Sequence, residues 1–167
     1  LAKTISPSMD ILVSSNLERL LYYVSGKDNA LIASLMNDLS AKGEYTVPEQ
    51  MLKTIQDEFY AGYADDAMTK QTLKKYYDET KYVADTHTGV ALNVADAYKN
   101  NTGDNTPTVV LSTASPFKFS HSVYSALFGD NAAEQLHDEY AVMEDLSART
   151  GFKIPAPLAD LKNKPVR

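Results

Sequence analysis

The chain has 167 residues, enough to bury a sizeable core, and 44% of them are hydrophobic, which excludes a disordered chain. The net charge is −6 and the sequence pI about 5.0, against a surface for nucleic acid or anionic membrane, which needs clustered Lys and Arg. Cysteine is absent and the three histidines (His87, His121, His137) lie far apart, so neither a disulfide framework nor a zinc site is expected, and no metal ligands are assigned. No apolar run approaches the roughly 20 residues of a membrane span, and no leader-like segment opens the chain. The expected setting is the cytoplasm. The sequence starts at Leu1 without Met and enters an apolar segment at once, which reads as a piece of a longer protein.

Residues 4–13 form an extended piece in which Pro7 biases Ser6 away from helix. Ser15 and Glu18 make a capping-box pair ahead of Leu17, Leu20, Leu21 and Val24 at helical spacing, with Gly26 as the stop. A second helix is predicted from Asp28 to Lys42, with Leu31, Leu35 and Leu39 in one stripe and Gly43 at its end. A third begins at Pro48 and runs through Leu52, Ile55, Phe59 and Tyr63. A fourth begins near Thr69, with Leu73, Tyr76 and Tyr77 inward and its lysines and carboxylates solvated. The adjacent pair Asp65 and Asp66 reads as a turn or cap, because neighbouring residues on a helix end do not face each other.

A short apolar pair then runs into Asp85, His87 and Thr88, followed by Gly89 and a helix of small residues from Val90 to Tyr98. Free N–H groups and the positive end of the dipole gather at such a first turn. Asp85 or Thr86 can equally be a plain cap and His87 a surface or hydrogen-bonded residue. After the polar turn 100–105 comes the strongest β signal in the chain: Thr108, Val109, Val110 and Leu111, closed by Ser112, Thr113 and Ser115 and stopped by Pro116. A buried strand ending in small polar residues and turning into helix is the way open α/β sheets present ligand sites. Ser120 caps a short helix carrying Val123, Leu127 and Phe128, a break follows at residues 129–131, and a long helix is predicted from Ala132 to Arg149 with Gly151 as its stop. The tail reads as extended and basic. Composition and spacing alone lead to a mostly helical part of an α/β protein, with a possible ligand site built from residues 85–89 and 112–115.

Three blocks in order resemble the threonine synthase family: Thr4 to Leu21 (TISPSMDILVSSNLERLL), Asp85 to Ala91 (DTHTGVA) and Leu111 to Phe119 (LSTASPFKF). The family usually has Pro where this chain has Thr86. The resemblance covers about the C-terminal third of such an enzyme and implies a mostly helical C-terminal part of a pyridoxal-phosphate enzyme of fold type II, α/β in class, with few parallel strands. It places residues 1–15 and 83–130 in the cofactor-binding α/β domain, 16–82 in a helical subdomain and 131–167 in a C-terminal helix and tail. The implied activity is conversion of O-phospho-L-homoserine and water to L-threonine and phosphate.

The family's cofactor-bearing lysine and glycine-rich phosphate loop are not matched here. No catalytic residue is therefore carried over, and the chain alone is expected to be inactive and to need the remaining N-terminal part of the same enzyme. By resemblance, Thr113 supplies the hydroxyl that hydrogen-bonds the pyridine nitrogen of pyridoxal 5′-phosphate, which tempers the ring as an electron sink. Asp85, His87 and Thr88 match the segment beside the ring and its 3′ oxygen. A non-catalytic helical binding module and another lyase of the same cofactor fold are the competing readings. The block SPSMDI at residues 6–11 speaks against the latter.

Overall fold

The computed structural model of the chain describes residues 2–165. Leu1, on which the fragment reading rests, and the last two residues of the basic tail lie outside the described residues. Among the described residues, nine α-helices, α1 to α9, account for most of the chain, and short 3-10 turns at Pro7–Met9, Pro116–Phe119 and Asp160–Asn163 complete the regular structure. No helix among these residues is long and apolar enough to cross a membrane.

The chain folds as two compact units. The first, from Ile11 to Ala61, holds α1 (Ser15–Val24), α2 (Asn29–Lys42) and α3 (Glu49–Glu58). Its core is small: Leu21, Ile32, Leu35 and Met51, flanked by Tyr22, Leu31, Met36 and Ile55. Local chemistry sets its helix ends. Ser14, one residue earlier than the capping-box pattern suggests, accepts from the Leu17 N–H at 3.3 Å. Asp28 accepts from Leu31 N–H at 3.0 Å, and Gly43 closes α2 in the left-handed region at φ 79°. The third helix stops at Glu58 rather than running on through Phe59 and Tyr63, which are extended or irregular and exposed.

The second unit joins Ala2–Asp10 to the chain from Gly62 onward. It contains α4 (Asp66–Thr80), α5 (Thr86–Thr102), α6 (Ser120–Phe128), α7 (Asp130–Glu134), α8 (Glu139–Thr150) and α9 (Ala156–Ala159). Its core is built on Val83, Phe117, Val123, Tyr124, Leu127, Ala133, Val142, Met143 and Leu146. Two glycines permit close helix packing here. A Cβ on Gly89 would stand 3.1 Å from Leu73 and 3.2 Å from Thr69 of α4, and one on Gly62 would stand 3.0 Å from Val94 of α5.

Three further expectations are corrected. The few parallel strands are not found: there is no strand among the described residues, and residues 107–113 have no regular structure and no backbone pairing. The β-branched run supplies a preference for extended backbone; a strand also needs a neighbour to ladder with, and none among the described residues pairs with it. The long helix at 132–149 is two helices, because Asp138 turns its carboxylate onto the Ala141 N–H at 2.9 Å and starts α8 afresh. The tail is not simply extended, since Ala156–Ala159 and the 3-10 turn after it coil behind Pro155. The first turn of α5 also begins earlier than the small-residue stretch suggests, at Thr86, which puts His87, Thr88 and Gly89 inside the helix.

Candidate functional site

Asp85 is the centre of the polar structure at the start of α5. It is the N-cap, it is fully buried, and both of its carboxylate oxygens are used. Oδ1 accepts from the His87 backbone N–H at 2.9 Å and lies 3.0 Å from His87 Nδ1; Oδ2 accepts the Thr88 hydroxyl at 2.5 Å. The N-cap carboxylate also faces the positive end of the helix dipole. Thr86, His87, Thr88 and Gly89 are buried with it, so a polar group stays inside because donors surround it.

His87 is the second member. Its ring packs against Phe119 with centroids 4.6 Å apart. Its Nε2 accepts the backbone N–H of Ser8 at 3.1 Å, across 79 positions of sequence. A nitrogen that accepts carries a lone pair, so the ring proton sits on Nδ1 and points to Asp85.

Ser8 belongs to a tight turn with its own internal fastening. The Thr4 N–H and hydroxyl both donate to the Asp10 carboxylate, at 2.7 and 2.8 Å, and Ser6 is buried beneath. The Ile5 N–H donates to Asp66 at 3.0 Å. Asp65 caps α4 through the Met68 N–H at 2.8 Å, so the acidic pair at 65 and 66 is used for capping and loop docking.

The second limb of the site is the extended segment that ends in hydroxyls. Ser112 Oγ lies 3.4 Å from Thr88 Oγ1 and accepts from the Tyr82 hydroxyl at 3.0 Å. Through it the segment is tied to the α5 start. Thr113 is one residue further on and exposed. Ser115 accepts from the Phe117 N–H at 3.3 Å and begins the turn into α6. The structure therefore brings Asp85, His87 and Thr88 into one buried network and places Thr113 at the open end of the segment tied to it.

The sequence pattern did not point to the backbone of Ser8, the Phe119 ring or the Tyr82 hydroxyl. Only the polarity of residues 4–10 offered a signal for the first. No group of three or more metal-ligating side chains occurs among the described residues.

Comparison with known proteins gives one consistent result. The family described as "Threonine synthase, C-terminal" matches residues 88–167. Threonine synthase of Pseudomonas aeruginosa is 32% identical over 134 residues, which is 80% of this chain and 28% of that protein. Human threonine synthase-like 1 is 35% identical over 127 residues, 76% of this chain and 17% of that protein. Among solved structures, PLP-bound threonine synthase from Brucella melitensis superimposes with a TM-score of 0.75 at 33% identity, covering 99% of this chain and 30% of that one. Yeast threonine synthase gives a TM-score of 0.73 at 26% identity, covering 98% and 32%. The chain thus spans about a third or less of the length of each of these relatives.

Proposed function

Since the chain belongs to the threonine synthase family, as a C-terminal portion of it, we propose that it forms one wall of a pyridoxal 5′-phosphate site in an enzyme that makes L-threonine and phosphate from O-phospho-L-homoserine and water. Bound there, the cofactor supplies an electron sink for the substrate's carbon skeleton. In this reading the residues of this chain bind and orient. Residues 1–15 and 83–130 belong to the cofactor-binding domain.

The observation that carries the proposal is the position of Thr113. Its side chain is exposed at the end of a segment whose penultimate residue, Ser112, is pinned by Thr88 and Tyr82. In this reading the Thr113 hydroxyl, next to that anchor, donates to the pyridine nitrogen without imposing a charge on it. Asp85 and His87 fit a different part: with both carboxylate oxygens and both ring nitrogens engaged inside the chain, they hold the wall from behind. Thr88 stands between them and Ser112.

The same reading accounts for the apolar side of the segment. Val109 and Leu111 are 84% and 73% exposed, and no backbone–backbone hydrogen bond joins residues 107–114 to the other described residues. We assign this surface to the remaining N-terminal part of the same enzyme, which brings the catalytic machinery this chain lacks.

Two measurements test the reading. Mixed with cofactor and O-phospho-L-homoserine, the 167-residue chain alone is expected to release no phosphate above background. In the full-length enzyme, Thr113→Val is expected to lower kcat/KM at least about tenfold, the scale of one lost hydrogen bond to a reacting system, while Thr113→Ser keeps most of it. Unchanged activity in Thr113→Val would remove the hydroxyl from this role.

A further inference from the structure

We propose that His87 is a positioning residue: in its neutral form with the proton on Nδ1, it fastens the apex of the Pro7–Met9 turn to the first turn of α5. Every bond involved lies within this chain, so the role holds whatever binds the wall.

Nδ1 faces Asp85 Oδ1 at 3.0 Å, with the Thr86 hydroxyl farther off at 3.5 Å, and Nε2 faces the Ser8 N–H; the carboxylate and the amide demand opposite things. Asp85 Oδ1, 3.0 Å from Nδ1, can only accept, so Nδ1 must donate. The Ser8 N–H, 3.1 Å from Nε2, can only donate, so Nε2 must accept. One tautomer of the neutral ring satisfies both; the other tautomer and the imidazolium each put a proton against the Ser8 N–H. The ring has little freedom to choose otherwise. It is 5% exposed, Phe119 lies against it, and the backbone N–H of His87 is bonded to the same Asp85 oxygen.

Other bonds hold the ends of the turn, the Met9 and Asp10 N–H groups close it onto Ser6 and Pro7, and the Ser8 N–H is left to His87. Asp10 gathers Thr4, and Asp66 holds the Ile5 N–H. Between these anchors, Ser8 donates its N–H to His87, while its own side chain is exposed. Asp85 fixes the ring, the ring fixes the Ser8 backbone, and the place of the Ser8 hydroxyl on the outer surface follows.

Two isosteres separate the two bonds. The side-chain amide nitrogen of His87→Asn takes the place of Nδ1 and keeps the bond to Asp85, with nothing at Nε2. The carbonyl oxygen of His87→Gln reaches the place of Nε2 and keeps an acceptor for Ser8. On the 167-residue chain, hydrogen exchange at the Ser8 amide is expected to speed up about tenfold in His87→Asn and to stay within about threefold of the parent in His87→Gln, with the amides of α4 and α8 unchanged in both.

Nitrogen-15 spectra of the unsubstituted chain at neutral pH should show His87 protonated at Nδ1 and bare at Nε2. Equal exchange at Ser8 in the parent and His87→Asn would overturn the proposal. Equally fast exchange in Asn and Gln would do the same, since a role in packing alone loses both alike. A His87 ring bearing its proton on Nε2, read without any substitution, would also overturn it.

Discussion

The start of α5 and the segment at residues 106–113 meet where Thr88 approaches Ser112, and they are built on opposite principles. The first is polar, buried and complete: Asp85 is fully enclosed, and every oxygen and nitrogen it gathers has a partner within the chain. The second is rich in β-branched residues and exposed, with Val109 and Leu111 in solvent and its backbone unpaired. A buried polar group survives only where its partners are already present, so the polar limb must be finished by this chain. An apolar extended run tolerates exposure at a cost, and gains most when other surface covers it. One limb is self-sufficient; the other is an offer of surface.

That contrast predicts how each limb breaks. Asp85→Ala should be the most damaging substitution, because it removes a helix cap and orphans the Nδ1–H of His87 and the hydroxyl of Thr88 in a buried place. We expect a loss of about 4 kcal/mol in urea unfolding of the chain alone. A loss below about 1 kcal/mol would mean that the network does not stabilise the fold.

Gly89→Ala should destabilise by about 1 kcal/mol. The added methyl meets Leu73 and Thr69 at 3.1–3.2 Å, an overpacking of about 2 kcal/mol partly offset by better helix propensity. Pairing it with Leu73→Ala, which opens the space, should show less than additive loss.

The packing of α4 on α5 also carries a pH signature. Tyr76 donates to Asp96 Oδ1 at 2.7 Å, and Lys75 sits 2.8 Å from Oδ2. Burial, then the bond to Asp96, pushes the Tyr76 phenol up to about 12. The raised value favours the protonated fold, so this stability is full below about pH 10, the ordinary tyrosine value, and is lost as pH rises toward about 12. Burial would push the Asp96 carboxyl up, but the bonds from Lys75 and Tyr76 outweigh it and hold it below the usual range. Its contribution is present above the ordinary carboxylate pKa and is lost as pH falls through the lower folded value. Tyr76→Phe should flatten the alkaline limb of a stability–pH curve; an unchanged limb would contradict the assignment.

The smallest effect is expected in the other limb. Leu111→Ser should change the stability of the chain alone by less than about 0.5 kcal/mol, as exposed positions do. In the full-length enzyme the same change should be clearly destabilising. Equal small effects in both would mean that the segment is never covered.

What could be read from the sequence followed the range of the forces involved. Stops lie within four residues of what they act on, so Gly43 and Gly151 were legible, while the helix predicted to start at Asp28 starts one residue later with Asp28 as its cap. The break at Asp138 was hidden because Leu136, Tyr140, Met143 and Leu146 keep helical spacing across it; only the orientation of the Asp138 side chain shows that two helices share one stripe. Phe59 and Tyr63 also keep the period, yet α3 stops at Glu58 and both are exposed.

At the site, the motif containing Asp85, His87 and Thr88 marked the polar cluster, and the cap was one of the two roles open to it. The partner of His87 was not legible, because a bond to the backbone of Ser8 depends on no side chain at that position.

By itself, then, the sequence determined a helical chain, its main punctuation and its family, because these rest on local propensity and on motif. The tertiary structure decided what each segment does. It turned a β-branched run into an unpaired surface, since a ladder needs a second chain segment. It joined an aspartate and a histidine to the backbone of Ser8 in one buried network, since satisfaction of buried polar groups is settled only when distant backbone arrives.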